Sequence, residues 1–452
     1  VSNPALDTVI PPRWAAFFGP GAVYFERNVF LFLFMGFSAG VPLALSFGTL
    51  SYWLIESGTS KGEIGLFTLL TIPYAFKYIW APFMDGLRFP ILCRIFGRRR
   101  GWMLATQFAL IGAIALAGLS DPVPGHLTYA AVAALAIAFF SASQDIVIDA
   151  YRVEILTDDQ QGAGAGAYQI GYRLAMLASG AGSLILADQV GWPTTYFTMS
   201  LLMLVGVVTV LFSPEPRSRA PAATVPNTDD KSGAMSANLQ RLYTMVTGPF
   251  VEFFRKPGWL AILAFVLFYK FGDTLASMMT GPFYMEIGFS KTEIGFVGKA
   301  VGIAATIVGA IIGGTLVYSR GIVASLWICG VFQLVSNFMF VLLAMAGHDL
   351  WVLGLTVGIE NLAGGMGGAA FIAYMSSLCN ISYTATQYAL LSSLANIGRT
   401  VFAAPSGYLA EAVSWEVFFL LTVIAALPGL ALLWYLGQRY GVDESPTPAQ
   451  DD

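Results

Sequence analysis

Twelve apolar stretches succeed one another along this chain, each as long as or longer than the ~20 residues that a helix needs to cross a hydrocarbon core, the longest of them long enough to tilt or extend past it. They fall at about 29–55, 63–85, 101–120, 127–151, 162–187, 193–213, 257–285, 292–318, 322–346, 350–378, 385–411 and 415–437. In lipid every backbone N–H and C=O must be bonded internally, so spanning segments of this length are helices. Only 11% of the 452 residues are charged while 56% are hydrophobic, too few charges to tile a water-facing surface. The expected fold class is an all-α polytopic membrane protein with the lipid bilayer as its surroundings. Its net charge of -4 reads against a nucleic-acid partner, which would need a basic face. Cys93, Cys329 and Cys379 are far apart with no CxxC pair, so neither a metal site nor a disulfide framework is expected, and no cofactor is implied. Residues 1–28 hold four prolines and no apolar run with a cleavage site, which is unlike a secretory signal peptide.

The longest polar stretch divides the chain into two groups of six spans. The expected layout is an N-terminal segment 1–28, a six-helix bundle 29–213, a linker 214–256, a second six-helix bundle 257–437 and a tail 438–452. The two bundles echo each other. Lys61-Gly62-Glu63-Ile64-Gly65 returns as Lys291-Thr292-Glu293-Ile294-Gly295, Ile170-Gly171-Tyr172-Arg173 as Ile397-Gly398-Arg399, and the Trp192 to Phe197 opening as Trp415 to Phe419. Three matches in one order describe a duplication, the pattern of many transporters. Lys and Arg collect on the side of the termini, from Arg13 and Arg27 to Arg320 and Arg439, against Lys61 and Lys291 opposite. That bias predicts cytoplasmic termini.

Five basic residues fall inside the spans, Lys77, Arg173, Lys270, Lys299 and Arg399, with Asp145, Asp149, Asp273 and Glu360 at similar depth. Each costs roughly 2.5–3.5 kcal/mol near a helix centre, so they must pair or line a wet cavity. Lys270 and Asp273, three apart on one helix face, are open to two readings: a static ion pair, or a proton-titrating Asp273 beside a substrate-binding Lys270. Glu360, next to Asn361, is a second candidate for the proton. Arg173 and Arg399 occupy matching repeat positions, where they either face each other across a cavity suited to a carboxylate or phosphate or bond groups of their own half. Gln144 and Asp145 are candidates for cavity polarity. Asp149, beside Arg152, fits an inner gate, and Arg98-Arg99-Arg100 is a topology anchor that can gate through Asp85.

Two motifs mislead. Gly36-Phe37-Ser38-Ala39-Gly40 has the GxSxG spacing of a serine hydrolase, but it lies within an apolar helix rather than on a strand-to-helix turn, and His126 and His348 fall in outer loops. Gly364-Gly365-Met366-Gly367-Gly368 lacks the strand context of a nucleotide loop. Catalysis is therefore not expected.

Taken together, Gly36 to Leu45, Phe96 to Trp102, Ser141 to Asp145, Gly171 to Arg173, Tyr269 to Asp273, Glu360-Asn361 and Ala385 to Leu390 resemble the AmpG-type muropeptide permeases of the major facilitator superfamily. The resemblance spans most of residues 29–437. It implies twelve helices in two pseudo-symmetric six-helix bundles, working as a monomer in the bacterial inner membrane. It also implies proton-coupled import of N-acetylglucosaminyl-1,6-anhydro-N-acetylmuramyl peptides for cell-wall recycling, a flux that in many bacteria governs β-lactamase induction. On the same footing it singles out Gln144, Asp145, Arg173, Lys270, Asp273, Glu360 and Arg399. The superfamily's loop motif sets its Asp closer to the Gly-Arg run than Asp85 stands to Gly97 here, so different gate contacts are expected. Acetyl-CoA transport and muropeptide sensing without transport remain the rival readings.

Overall fold

The computed structural model describes residues 17–60, 67–87, 89–120, 127–216, 246–403 and 405–440, with 11, 63, 122 and 243 as single positions. Much of the 1–28 and 214–256 segments and of the tail, with Arg13, Lys61, Arg88 and His126, lies outside the described residues.

Twelve helical rods follow in order: α1 Arg27–Glu56, α2 68–86, α3 Arg98–Gly118, α4 Thr128–Ile155, α5 Gln161–Val190 and α6 Trp192–Phe212, then α7 Trp259–Glu286, α8 291–320, α9 Ile322–Ala346, α10 Leu350–Ser377, α11 Thr384–Ala403 and α12 Trp415–Tyr440. A short helix, Ser406–Ala412, comes next in the chain after α11. No strand occurs among the described residues. The expected all-α fold of twelve helices in two halves is the one observed, and most bounds fall within a few residues of the apolar stretches. An even number of crossings returns the chain to the face where it began. That face, holding the start of α1 and the end of α12, is called proximal below.

The second span departs most from a continuous helix. It is a chain of pieces, with 3₁₀ turns at Thr68–Thr71 and Lys77–Ile79 and helices at Ile72–Phe76 and Ala81–Gly86. Pro73 and Pro82 supply no N–H to the ladder, and the Trp80 indole donates to Ser143 Oγ of α4 at 3.0 Å, tying the break to its neighbour. α7 is likewise interrupted by a turn at Tyr269 and Lys270.

The repeats have a physical basis at the helix ends. Ser60 with Glu63 and Ser290 with Glu293 form the same reciprocal bonds, hydroxyl accepting from the amide three residues on and carboxylate from the Ser amide, ahead of α2 in one half and as the capping box that opens α8 in the other. Gly97 and Gly321, which precede α3 and α9, share a left-handed φ of 92° and 79°, a conformation that a side chain would strain.

Within each half, apolar side chains form one proximal and one distal core cluster. The proximal cluster of the first half takes in Ala385 and Ala389 of α11, and that of the second half takes in Val153 of α4. The distal clusters draw only on their own half. The halves are therefore fused at the proximal end. Glycines on α5 and α8 allow this close approach: a Cβ on Gly162 would stand 2.4 Å from Val317 Cβ, and one on Gly166 would stand 2.7 Å from the Ala310 carbonyl. Tyr24, ahead of α1, fills the seam and donates to the Ala310 carbonyl at 2.8 Å.

Because the seam has no room for a branched side chain, Gly166→Val should wedge the proximal ends apart. Ala389→Cys, 1% exposed here, reports on this in a background with the three native cysteines replaced. Maleimide should modify it several-fold faster when Gly166→Val is added; an unchanged rate would show that the seam does not hold the halves together.

Candidate functional site

The proximal seal is built on charge. Residues 87–97 between α2 and α3 include the short helix Leu92–Phe96, and they bring Arg99 to Asp85. Arg99, 1% exposed, donates from Nη2 to Asp85 Oδ1 and to Thr384 Oγ1, both at 2.8 Å, and from Nε to Glu154 Oε1 at 2.9 Å. Arg98 adds a bond to the Asp85 carbonyl at 2.9 Å and an ion pair with Glu154 at 3.3 Å. Three arginines at a helix start oppose its dipole, and Glu215 offsets this by accepting from the Arg99 and Arg100 amides at 2.9 and 3.0 Å. Arg100 turns away from the seal, to the Val210 and Leu211 carbonyls.

Asp85 also reaches into the other half. Its Oδ2 accepts from the Thr386 amide at 2.8 Å and hydroxyl at 2.7 Å, and its Oδ1 from the Ala385 amide at 3.3 Å. These amides open α11, where free N–H groups and the helix dipole favour an anion. A carboxylate of the first half thus caps a helix of the second.

A second charged layer lies deeper. Asp149 pairs with Arg152 at 3.1 Å and with Lys77 at 3.8 Å. Arg152, fully buried, crosses the seam to Ser376 Oγ at 3.4 Å and sits over the Tyr388 ring at 5.1 Å. Asp145, one turn above Asp149, accepts from the Tyr168 hydroxyl at 3.2 Å.

The central group comes from α5, α7, α10 and α11. Arg173 lies within electrostatic reach of Glu360, and Arg399 within reach of Lys270 and Asp273. Both arginines are exposed although they stand in the middle of their spans. Asn361 links this group to α8: its Oδ1 accepts from Thr306 Oγ1 at 3.1 Å, while its Nδ2 donates to Glu360 Oε2 at 2.8 Å.

Two placements differ from the sequence reading. Gln144 does not face the cavity. It is fully buried inside the first half and donates to Ser38 Oγ at 3.0 Å, because α4 turns that residue toward α1. Lys270 and Asp273 bond other groups rather than each other: Lys270 Nζ donates to the Gly364 carbonyl at 3.4 Å, and Asp273 Oδ2 accepts from Gln333 Nε2 at 2.5 Å. The turn at Lys270 breaks the helical register on which an i,i+3 pair depends. The GxSxG glycines pack instead of catalysing; Gly36 and Gly40 meet the backbone of α5 at Tyr168 and Tyr172. Glu154, Glu215, Thr384, Thr386 and Gln333 were not read as site residues. Lys77, named from sequence as a lysine inside an apolar span, joins the Asp149 layer.

Asp85→Ala removes one partner from a buried charge network, a loss that typically costs about 3–5 kcal/mol, and uncaps α11. A lowered unfolding temperature in detergent and faster maleimide labelling of Ala389→Cys are expected. Background labelling in that variant would mean that Asp85 does not hold the seal.

Two bundles closed at one face with a group of charges between them have the arrangement of a membrane transporter. The family model described as Major Facilitator Superfamily matches residues 30–403. The anhydromuropeptide permease of Escherichia coli K12 is 41% identical over 406 residues, covering 89% of this chain and 78% of that one. Putative transporter AmpG 4 of Rickettsia felis is 31% identical over 423 residues, covering 93% and 99%. The solved structure of the proton:xylose symporter XylE superposes with a TM-score of 0.63 at 11% identity, covering 91% of this chain and 95% of that one. The chain belongs to the major facilitator superfamily and, within it, to the AmpG-type permeases; the family and its permease relatives make the protein a transporter rather than an enzyme.

Proposed function

We propose that this permease imports N-acetylglucosaminyl-1,6-anhydro-N-acetylmuramyl peptides by alternating access, driven by protons. One observation carries the reading: Arg173, Lys270, Asp273, Glu360 and Arg399 come within electrostatic reach of one another from both halves, beyond a closed proximal seam. Such muropeptides bring sugar hydroxyls and peptide carboxylates, which suit paired guanidinium donors. The relative from Escherichia coli is an anhydromuropeptide permease, and 41% identity along most of this chain supports the same substrate class. The membrane is the bacterial inner membrane, the proximal face with both termini is cytoplasmic, and the conformation described here then faces outward. The chain acts as a monomer.

In this scheme a proton reaches Asp273 or Glu360 from outside. Neutralising one carboxylate alters its hold on the neighbouring cations and frees a basic side chain for the substrate anion. Proton and substrate binding become linked through one electrostatic network. Arg98, Arg99, Asp85, Asp149 and Arg152 form the inner gate that must part before release, and Asp145 borders the release path.

The test is uptake of radiolabelled anhydromuropeptide into proteoliposomes with and without an inward proton gradient. Accumulation should require the gradient. Asp273→Asn or Glu360→Gln should abolish accumulation yet leave substrate exchange at symmetric pH. If both variants accumulate substrate at the wild-type rate, proton coupling through these carboxylates is wrong. Arg173→Met and Arg399→Met should each weaken substrate binding by about tenfold, the value of one charge-assisted hydrogen bond. Competition by acetyl-CoA and related anions at equal potency would shift the substrate assignment.

A further inference from the structure

We infer that Gln333 is a positioning residue for Asp273, its amide turning over so that Asp273 is hydrogen-bonded whether ionised or protonated. The inference rests on the reading that Asp273 takes up a proton.

Gln333 stands on α9, outside the four helices that supply the central charges, and is 4% exposed. Its amide lies flat on α10 at Gly367. A Cβ there would stand 2.6 Å from Gln333 Oε1 and 2.7 Å from its Nε2, so only glycine lets the side chain pass to Asp273. Nε2 donates to Asp273 Oδ2 at 2.5 Å, whereas Oε1 has no partner among the described residues. An ionised carboxylate only accepts, and a protonated one also donates. The terminal torsion of glutamine is roughly two-fold, so a half-turn exchanges Nε2 for Oε1 at nearly the same point. The amide then accepts from the protonated carboxyl and leaves its Nε2 unpaired instead. Each state has one bond made and one amide atom unmet, so the buried carboxyl keeps a partner in both, the ionised form being held the more strongly.

Other groups around Asp273 do not offer this. Lys270 on its own helix and Arg399 from α11 are cations and donate only, and Glu360 from α10 is a second carboxylate. α12 presents the Thr422 carbonyl and the Ala426 methyl at neighbouring Gly272. Tyr269, also within reach of Asp273, spends its hydroxyl proton on the Leu326 carbonyl at 2.9 Å, whereas the Gln333 amide bonds Asp273 directly and offers both a donor and an acceptor.

The experiment compares uptake against pH and substrate affinity at symmetric pH in proteoliposomes. Gln333→Leu should keep affinity within about twofold but lower gradient-driven accumulation about tenfold, the weight of one hydrogen bond to a charged group. Gln333→Asn, one methylene too short, should lose accumulation similarly, and adding Asp273→Glu, which returns the methylene from the other side, should restore it. The Asn and Glu pair carries the test should the leucine variant not fold. Wild-type pH profiles in both Gln333 variants, alongside a defective Asp273→Asn, would overturn the inference alone. Wild-type accumulation in Asp273→Asn would overturn the underlying reading and the inference with it.

Discussion

One carboxylate, Asp85, bonds the two halves at the point where the structure is closed. It neutralises Arg99 from its own half and caps α11 from the other. A buried guanidinium and a helix N-terminus both need an anion nearby, and one side chain serves both. The arrangement depends on Asp85 and α11 staying in place together. The Asp85 bonds to the α11 amides and the Thr384 bond to Arg99 cross the same seam, so both sets depend on the proximal ends staying together.

The charges in the middle of the bundle obey a different rule. A structural ion pair would close on itself, as Asp149 does with Lys77 and Arg152. Lys270 and Asp273 instead bond neutral groups, a backbone carbonyl and a glutamine amide, while Arg173 and Arg399 stay exposed. Charges held by neutral partners keep capacity for a charged ligand. The contrast is between closed ion pairs near the proximal seam and charges with neutral partners in the middle of the bundle.

Much of the fold was legible because lipid imposes a coarse rule on sequence. A span needs length and apolarity, both of which can be read without knowing the neighbours, and the duplication repeated helix-end chemistry such as Ser60 with Glu63 and Ser290 with Glu293. The charged members of the central site were also legible, since a charge within an apolar span has few innocuous explanations. Their partners were not. Gln144 and Gln333 look alike in sequence, each an amide in an apolar helix, yet one fastens Ser38 inside a bundle and the other reaches Asp273 past a glycine.

By itself the sequence determined the all-helical class, the twelve crossings, the two related halves and the family, because each follows from composition and order along one chain. Which charges pair, which face is closed, and that Asp85 caps a helix begun some 300 residues later were decided only by tertiary structure. Hydrogen bonds and ion pairs act over a few ångströms and depend on the rotation of each helix about its axis. Breaks such as those at Pro73, Pro82 and Lys270 shift that rotation, and periodicity along the sequence carries no record of where the shifted faces meet.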